Sequence, residues 1–147
     1  MERFIGQRWG IVAAVLFFLA IFSLNAAWGA GLTPEEVVLK YYHALQNRDF
    51  SGASQCVSRG MLAGKSQKNW ANEMKDLYEG GKVEITDISV SPGSVSGPEA
   101  QVKNVMTSKD IINKNGVVEY NVEHLVLEDG LWKIDRTELE DSKILEP

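Results

Sequence analysis

The stretch Thr33-Pro34-Glu35-Glu36-Val37-Val38-Leu39-Lys40-Tyr41-Tyr42-His43-Ala44-Leu45-Gln46-Asn47-Arg48-Asp49-Phe50 decides the fold. It opens with a complete helix start. Thr33 supplies an N-cap hydroxyl, Pro34 sits in the first turn where its missing N–H is harmless, and Glu36 closes a capping box. Val37, Val38, Tyr41, Tyr42 and Leu45 then fall on one helical stripe, so one face is to be buried. The helix is expected to end near Asn47-Arg48. Downstream, residues 51–59 read as a second, shorter helix that turns Ala53, Cys56 and Val57 inward. A third is expected over 66–78, with Trp70, Met74, Leu77 and Tyr78 buried and Lys65, Lys68, Asn72, Glu73 and Lys75 on the wet side. Gly80-Gly81 is the expected stop.

Past Gly81 the apolar period shortens to two. Val83 and Ile85 alternate, then Ile88 and Val90 resume out of phase across Thr86-Asp87, which predicts a bulge there. Pro92-Gly93 and Gly97-Pro98 bracket a loop. Strands follow over 100–108 and 117–127, separated by a loop around 113–116. Asp129-Gly130 is a tight-turn signal before a last strand over 131–137. With those two as central turn residues, Leu127 faces Trp132, Leu125 faces Ile134 and Glu123 faces Arg136 on one side of the sheet. His124 then faces Asp135, and Val126 faces Lys133, on the other. The reading is an α+β domain over 31–140, three helices followed by a curled antiparallel four-strand sheet. Helices on one face of such a sheet leave a conical pocket. Residues 141–147 read as a C-terminal tail.

The 147 residues suffice for one compact domain and a short appendage. With 20 acidic against 15 basic side chains, the net charge of −5 argues against a protein that grips nucleic acid by its phosphates. The lone Cys56 excludes an internal disulfide framework, a thiolate-only zinc site and a CxxC redox centre. Two histidines without an HExxH spacing give no reason to expect a metal. The chain contains no G-x-G-x-x-G, Walker-type or G-x-S-x-G pattern, so no cofactor is expected.

Residues 9–24 are apolar throughout, and no charge appears between Arg8 and Glu35. One reading is a signal peptide, with Arg3 and Arg8 in its n-region and small residues Ala27 and Gly29 placed for cleavage before Ala30. The other is an uncleaved anchor over 9–30, long enough to span the bilayer, with Trp9 and Trp28 near the two interfaces. Both export the remainder: it is held at the cell membrane if uncleaved, and is periplasmic or extracellular if cleaved. A helix apolar all round needs burial all round, which so small a domain supplies poorly. From Ala30 onward there are 13 basic and 19 acidic residues, a net −6. That sign repels an anionic membrane surface, so any anchoring rests on residues 9–30.

The run from Thr33 to Ala53 resembles the opening of the NTF2-like superfamily, the cystatin-like cone. An amphipathic helix leads into Arg48-Asp49-Phe50, a residue-Asp-aromatic turn, and then a second helix. The closing Leu127-Glu128-Asp129-Gly130-Leu131-Trp132-Lys133-Ile134 resembles the terminal hairpin of that group, where Gly-x-Trp-x-Ile/Val is frequent. The resemblance covers about Thr33 to Glu138. It looks similar to exported bacterial lipoprotein-like domains of unassigned function, although no lipobox cysteine is present. It implies a fold that hosts isomerases, dehydratases, cyclases and proteins without catalysis, and its motifs carry no activity of their own.

On such a scaffold an enzyme needs a carboxylate or imidazole in the cone and a Tyr or protonated acid as oxyanion donor. His124, Asp135 and Tyr42 are the catalytic candidates. A cross-strand His–Asp pair is equally an ordinary ion pair, and helix one needs both tyrosine rings for its stripe. Tyr42, Trp70, Met74 and Trp132 are the ligand-binding candidates, with core packing as the alternative for each. The expected function is an exported, membrane-associated, non-enzymatic binding or accessory module for a small apolar ligand or an envelope protein. A sheet edge near 100–108 is a further surface for a partner or a second copy. The alternatives are a cofactor-independent isomerase, dehydratase or cyclase, and a structural subunit of an envelope assembly. Carboxylates buried toward the cone favour the enzyme; walls of Val, Leu, Met and Trp alone favour binding.

Overall fold

Helix α1 (Pro34–Gln46) forms as its cap signals dictate in the computed structural model, which describes residues 31–146. Thr33 Oγ1 accepts from the Glu36 amide at 3.3 Å, and Glu36 Oε2 accepts from the Thr33 amide at 2.8 Å. The hydrophobic stretch 9–30, with its expected signal peptide or anchor, lies outside the described residues, as does Pro147. Among the described residues no helix is long and apolar enough to cross a membrane.

The single helix expected over 51–59 divides in two, α2 (Phe50–Ser54) and α3 (Arg59–Leu62). The intervening backbone is taken by the sheet. Ser58 N donates to Ile134 O at 2.8 Å and Ile134 N donates to Cys56 O at 2.8 Å, an isolated parallel bridge that no continuous helix could make. Helix α4 (Gln67–Gly81) starts at the expected cap, Ser66, whose Oγ accepts from the Asn69 amide at 3.1 Å. It runs through the glycine pair, and the left-handed residue that ends it is Lys82, at φ 49°. Its buried stripe turns toward Trp70, Ala71 and Tyr78, with Met74 packed against the core. Leu77 was expected inside that stripe; it is 62% exposed, at the wet margin of the helix.

Five strands follow where four were expected: β1 (Glu84–Val90), β2 (Ser94–Ser96), β3 (Glu99–Lys109), β4 (Val117–Glu128) and β5 (Leu131–Ile144). All pairings are antiparallel, in the order β1-β3-β4-β5, with β2 also on β3. The extra strand is the bracketed loop itself, folded back on β3 through a turn in which Gly97 takes φ 58°. The bulge in β1 falls where the phase change placed it, with the register slipping between Ile85 and Asp87. Residues 100–108 are not an edge, because β3 is paired on both sides. β5 continues past Thr137 to Ile144, which pairs with Val117, so residues 141–144 belong to the sheet.

The hairpin at Asp129-Gly130 begins in the expected register, with Leu127 opposite Trp132, Val126 opposite Lys133 and Leu125 opposite Ile134. It then slips by one residue. Asp135 is the extra residue of a bulge, His124 lies opposite Arg136, and Glu123 lies opposite Thr137. Long-range contacts force the slip. Ile134, fully buried, is fixed to the 56–58 backbone, while Asp135 Oδ1 accepts from Ser58 Oγ at 2.5 Å. Gly60 permits the approach, since a Cβ there would lie 2.6 Å from Asp135 Oδ1. The core between helices and sheet centres on Val38, Val102, Leu125 and Ile134, with Tyr41 and Tyr42 edge to face at 5.1 Å.

Candidate functional site

Strand alternation positions the site. On β4 the residues 121, 123 and 125 face the helices, and the inward position at 123 is a glutamate with no exposed surface. Three side chains from three elements converge on it. Tyr42 of α1 donates its hydroxyl to Glu123 Oε1 at 2.5 Å, and Asn104 of β3 donates its amide to the same oxygen at 3.0 Å. Thr137 of β5 donates to Oε2 at 2.7 Å. Asn121, directly opposite Asn104 in the ladder, donates to the Asn104 side-chain oxygen at 3.5 Å. Every buried side-chain polar atom among the described residues has a partner.

The electrostatics follow from that burial. Desolvation pushes the Glu123 carboxyl above its ordinary value, against the pull of the three hydrogen bonds. Burial likewise raises the Tyr42 phenol, and the neighbouring Glu123 charge raises it further. The pair therefore keeps its protons in reserve: a phenol held firmly protonated beside a carboxyl that takes up a proton more readily than usual. An exposed version of this pair has the makings of a general acid and an oxyanion donor. Here Tyr42 packs edge to face on the buried Tyr41, within the same core cluster as Val102, Leu125 and Trp70.

The sequence-based candidates separate. Tyr42 belongs to the cluster. His124 and Asp135 do not pair: His124 Nε2 meets Glu138 Oε2 at 2.8 Å and its Nδ1 meets Arg136 at 3.3 Å, while Asp135 turns to Ser58. Both line a cleft of about 250 Å3 with Glu99, Gln101 and Arg136. Arg136 and Glu138 thus hold the imidazole ring from its two nitrogens. Trp70 is buried in the core, and Met74 and Trp132 pack against it half-buried. Cys56 is buried, its thiol pushed up by desolvation.

Glu123, Asn104 and Thr137 are the members that sequence reasoning missed. The signal for Glu123 was present, because the phase that sends Leu125 inward sends Glu123 inward too. The expected Arg136 partner disguised it as an ion pair. The bulge at Asp135 removes that partner and leaves the carboxylate to neutral donors.

No known protein family and no curated protein matches the chain. Solved structures do. A SEC-C motif containing protein from Rhodopseudomonas palustris aligns at 13% identity and TM-score 0.62, over 82% of this chain and 88% of that one. A ketosteroid isomerase-like protein from Erwinia carotovora atroseptica aligns at 15% identity and TM-score 0.52, over 71% and 92%. A domain of unknown function with a cystatin-like fold from Nostoc punctiforme aligns at 14% identity and TM-score 0.51, over 72% and 76%. The chain spans only 38% of a Bdellovibrio bacteriovorus protein that it also matches. The fold is thus the NTF2-like, cystatin-like cone that the opening helix and closing hairpin resemble.

Proposed function

We propose that this chain is an exported, membrane-associated binding or accessory module, built on an NTF2-like cone that holds a small apolar ligand or docks an envelope protein and does no chemistry. The observation that carries the reading is the closure around Glu123. A general base must come within hydrogen-bond reach of the proton it removes, about 2.6–3.2 Å. Both oxygens of this carboxylate are already engaged by Tyr42, Asn104 and Thr137, and none of its surface is exposed. Such a group ties α1 to β3, β4 and β5 and works as a structural knot. Met74 and Trp132, half-buried against the core, retain apolar surface for a ligand. The apolar run 9–24 behind Arg3 and Arg8 supports export, and the choice between release and anchoring follows from cleavage before Ala30.

A second reading, a cofactor-independent isomerase, dehydratase or cyclase, draws on one specific observation. A tyrosine and a carboxyl stand 2.5 Å apart on the inner face of a fold shared with a ketosteroid isomerase-like protein. Native mass spectrometry of the intact chain, taken from membrane and soluble envelope fractions of its own cells, separates the two. The module reading expects a non-covalent small-molecule mass or a co-isolated protein. An empty chain that exchanges solvent deuterium into a ketone panel, with the exchange abolished in Glu123→Gln, overturns it in favour of the enzyme.

A further inference from the structure

The seam between α2 and α4 carries a second arrangement, outside the cone. Lys68, Ala71, Asn72 and Lys75 stand at i, i+3, i+4 and i+7 on α4, which puts all four on one stripe. Facing them are residues of α2, and the Arg48-Asp49 turn closes one end. Together they line a groove of about 540 Å3. Small-molecule sites run from roughly 300 to 1,000 Å3, so the size fits one short ligand. Its floor is buried and largely apolar, made by Phe50 and Ala71 with Ser54 between helices.

The charge of the groove runs against that of the chain. In a protein with 20 acidic and 15 basic residues, three cations, Arg48, Lys68 and Lys75, meet a single carboxylate, Asp49. Asp49 is committed elsewhere, its Oδ1 accepting from the Gly52 amide at 2.8 Å to cap α2. Among the described residues neither Arg48 nor Lys68 has a carboxylate within 4.0 Å, and Lys75 meets Glu79 only at 3.9 Å. Arg48 is also held in place. It donates to Val83 O at 2.6 Å and its guanidinium carbon lies 5.7 Å from the centre of the Tyr78 ring. A fixed cation at one end, two exposed lysines along one wall and an apolar floor describe a receptor for a molecule with both characters.

We propose that this groove binds an anionic amphiphile, a phosphate or carboxylate head on a short apolar stem. The head is met by Lys68, Lys75 and Arg48, and the stem lies over Phe50 and Ala71. The site does not depend on how the cone is read. The test is calorimetric titration of hexyl phosphate into the full-length chain held in neutral phosphatidylcholine nanodiscs, with hexanol and inorganic phosphate as the two half-ligands. Hexyl phosphate is expected to bind at least about tenfold tighter than either half-ligand, since head and stem act together. Raising salt from about 50 to 300 mM should weaken it, because exposed charges are screened. The double charge reversal Lys68→Glu with Lys75→Glu, both exposed positions, should weaken it at least about tenfold with an unchanged circular dichroism spectrum. Nanodiscs doped with phosphatidate identify the source: competition with hexyl phosphate marks a lipid headgroup, and undiminished binding marks a soluble anion. Equal affinity in wild type and the double variant, or hexanol binding as tightly as hexyl phosphate, overturns the proposal.

Discussion

Glu123 and His124 are neighbours on β4, yet they live in different solvents. Glu123 faces the helices, is sealed from water and is held by one phenol, one amide and one hydroxyl. His124 faces outward into a cluster with Arg136 and Glu138, whose side chains are half-exposed. The inner cluster contains one carboxyl, one phenol and no formal cation; the outer one contains an imidazole, a guanidinium and a carboxylate. Counting charges would rank the outer cluster as the stronger. Water reverses that ranking, because it competes for every outer bond but is shut out of the Tyr42 and Asn104 bonds to Glu123, only the Thr137 bond being partly open.

The sharpest way to break this comparison is Glu123→Ala. It strands the Tyr42 hydroxyl and the Asn104 amide and opens a void, and should cost roughly 3 kcal/mol in urea unfolding of the detergent-held full chain. A loss no larger than that of an exposed substitution would show that the knot is not structural. A smaller effect is read in pH. Burial holds the Glu123 carboxyl above its unfolded value near 4.5, so its contribution to stability is complete below that value and is lost as pH rises through the raised one. The stability of wild type relative to Glu123→Gln should therefore fall as pH climbs from about 4.5 toward neutrality. Glu35 and Glu138, held low by the Gly93 amide and by His124, run the other way, but they do so in both proteins and cancel. A flat difference would mean that Glu123 titrates alike folded and unfolded. Smallest of all, Glu138→Gln should leave the unfolding midpoint unmoved at physiological salt, and a clear drop would restore the outer cluster to importance.

What the sequence disclosed and what it hid divide along the range of the causes. The capping box at Thr33, the β1 bulge and the first rungs of the Asp129-Gly130 hairpin are local, written within a few residues of where they act. The broken helix at 55–58 and the bulge at Asp135 are one long-range event, the docking of the 56–58 backbone on Ile134, and neither partner announces the other. That slip moved His124 off Asp135 and Arg136 off Glu123. It turned the expected catalytic pair into an outer charge cluster and exposed the true buried acid. Tyr42 was legible as a candidate because its helix was; Asn104 and Thr137 were not, since their role depends on a register fixed from outside the hairpin. The short β2 escaped because its Pro and Gly brackets mark turns equally well with or without a strand between them.

The last strand has one more consequence. β5 ends the sheet order, so beyond Ile134 one side of its backbone faces away from any neighbouring strand in the sheet. Its residues there carry charge of both signs, Arg136, Glu138, Glu140, Asp141 and Lys143, and the register breaks at two places, near Asp135 and between residues 139 and 141. A kinked, charged rim offers a second molecule no straight template to add to. Crowded copies of the domain are thereby discouraged from zipping into filaments along the one border that a long strand would otherwise leave adhesive.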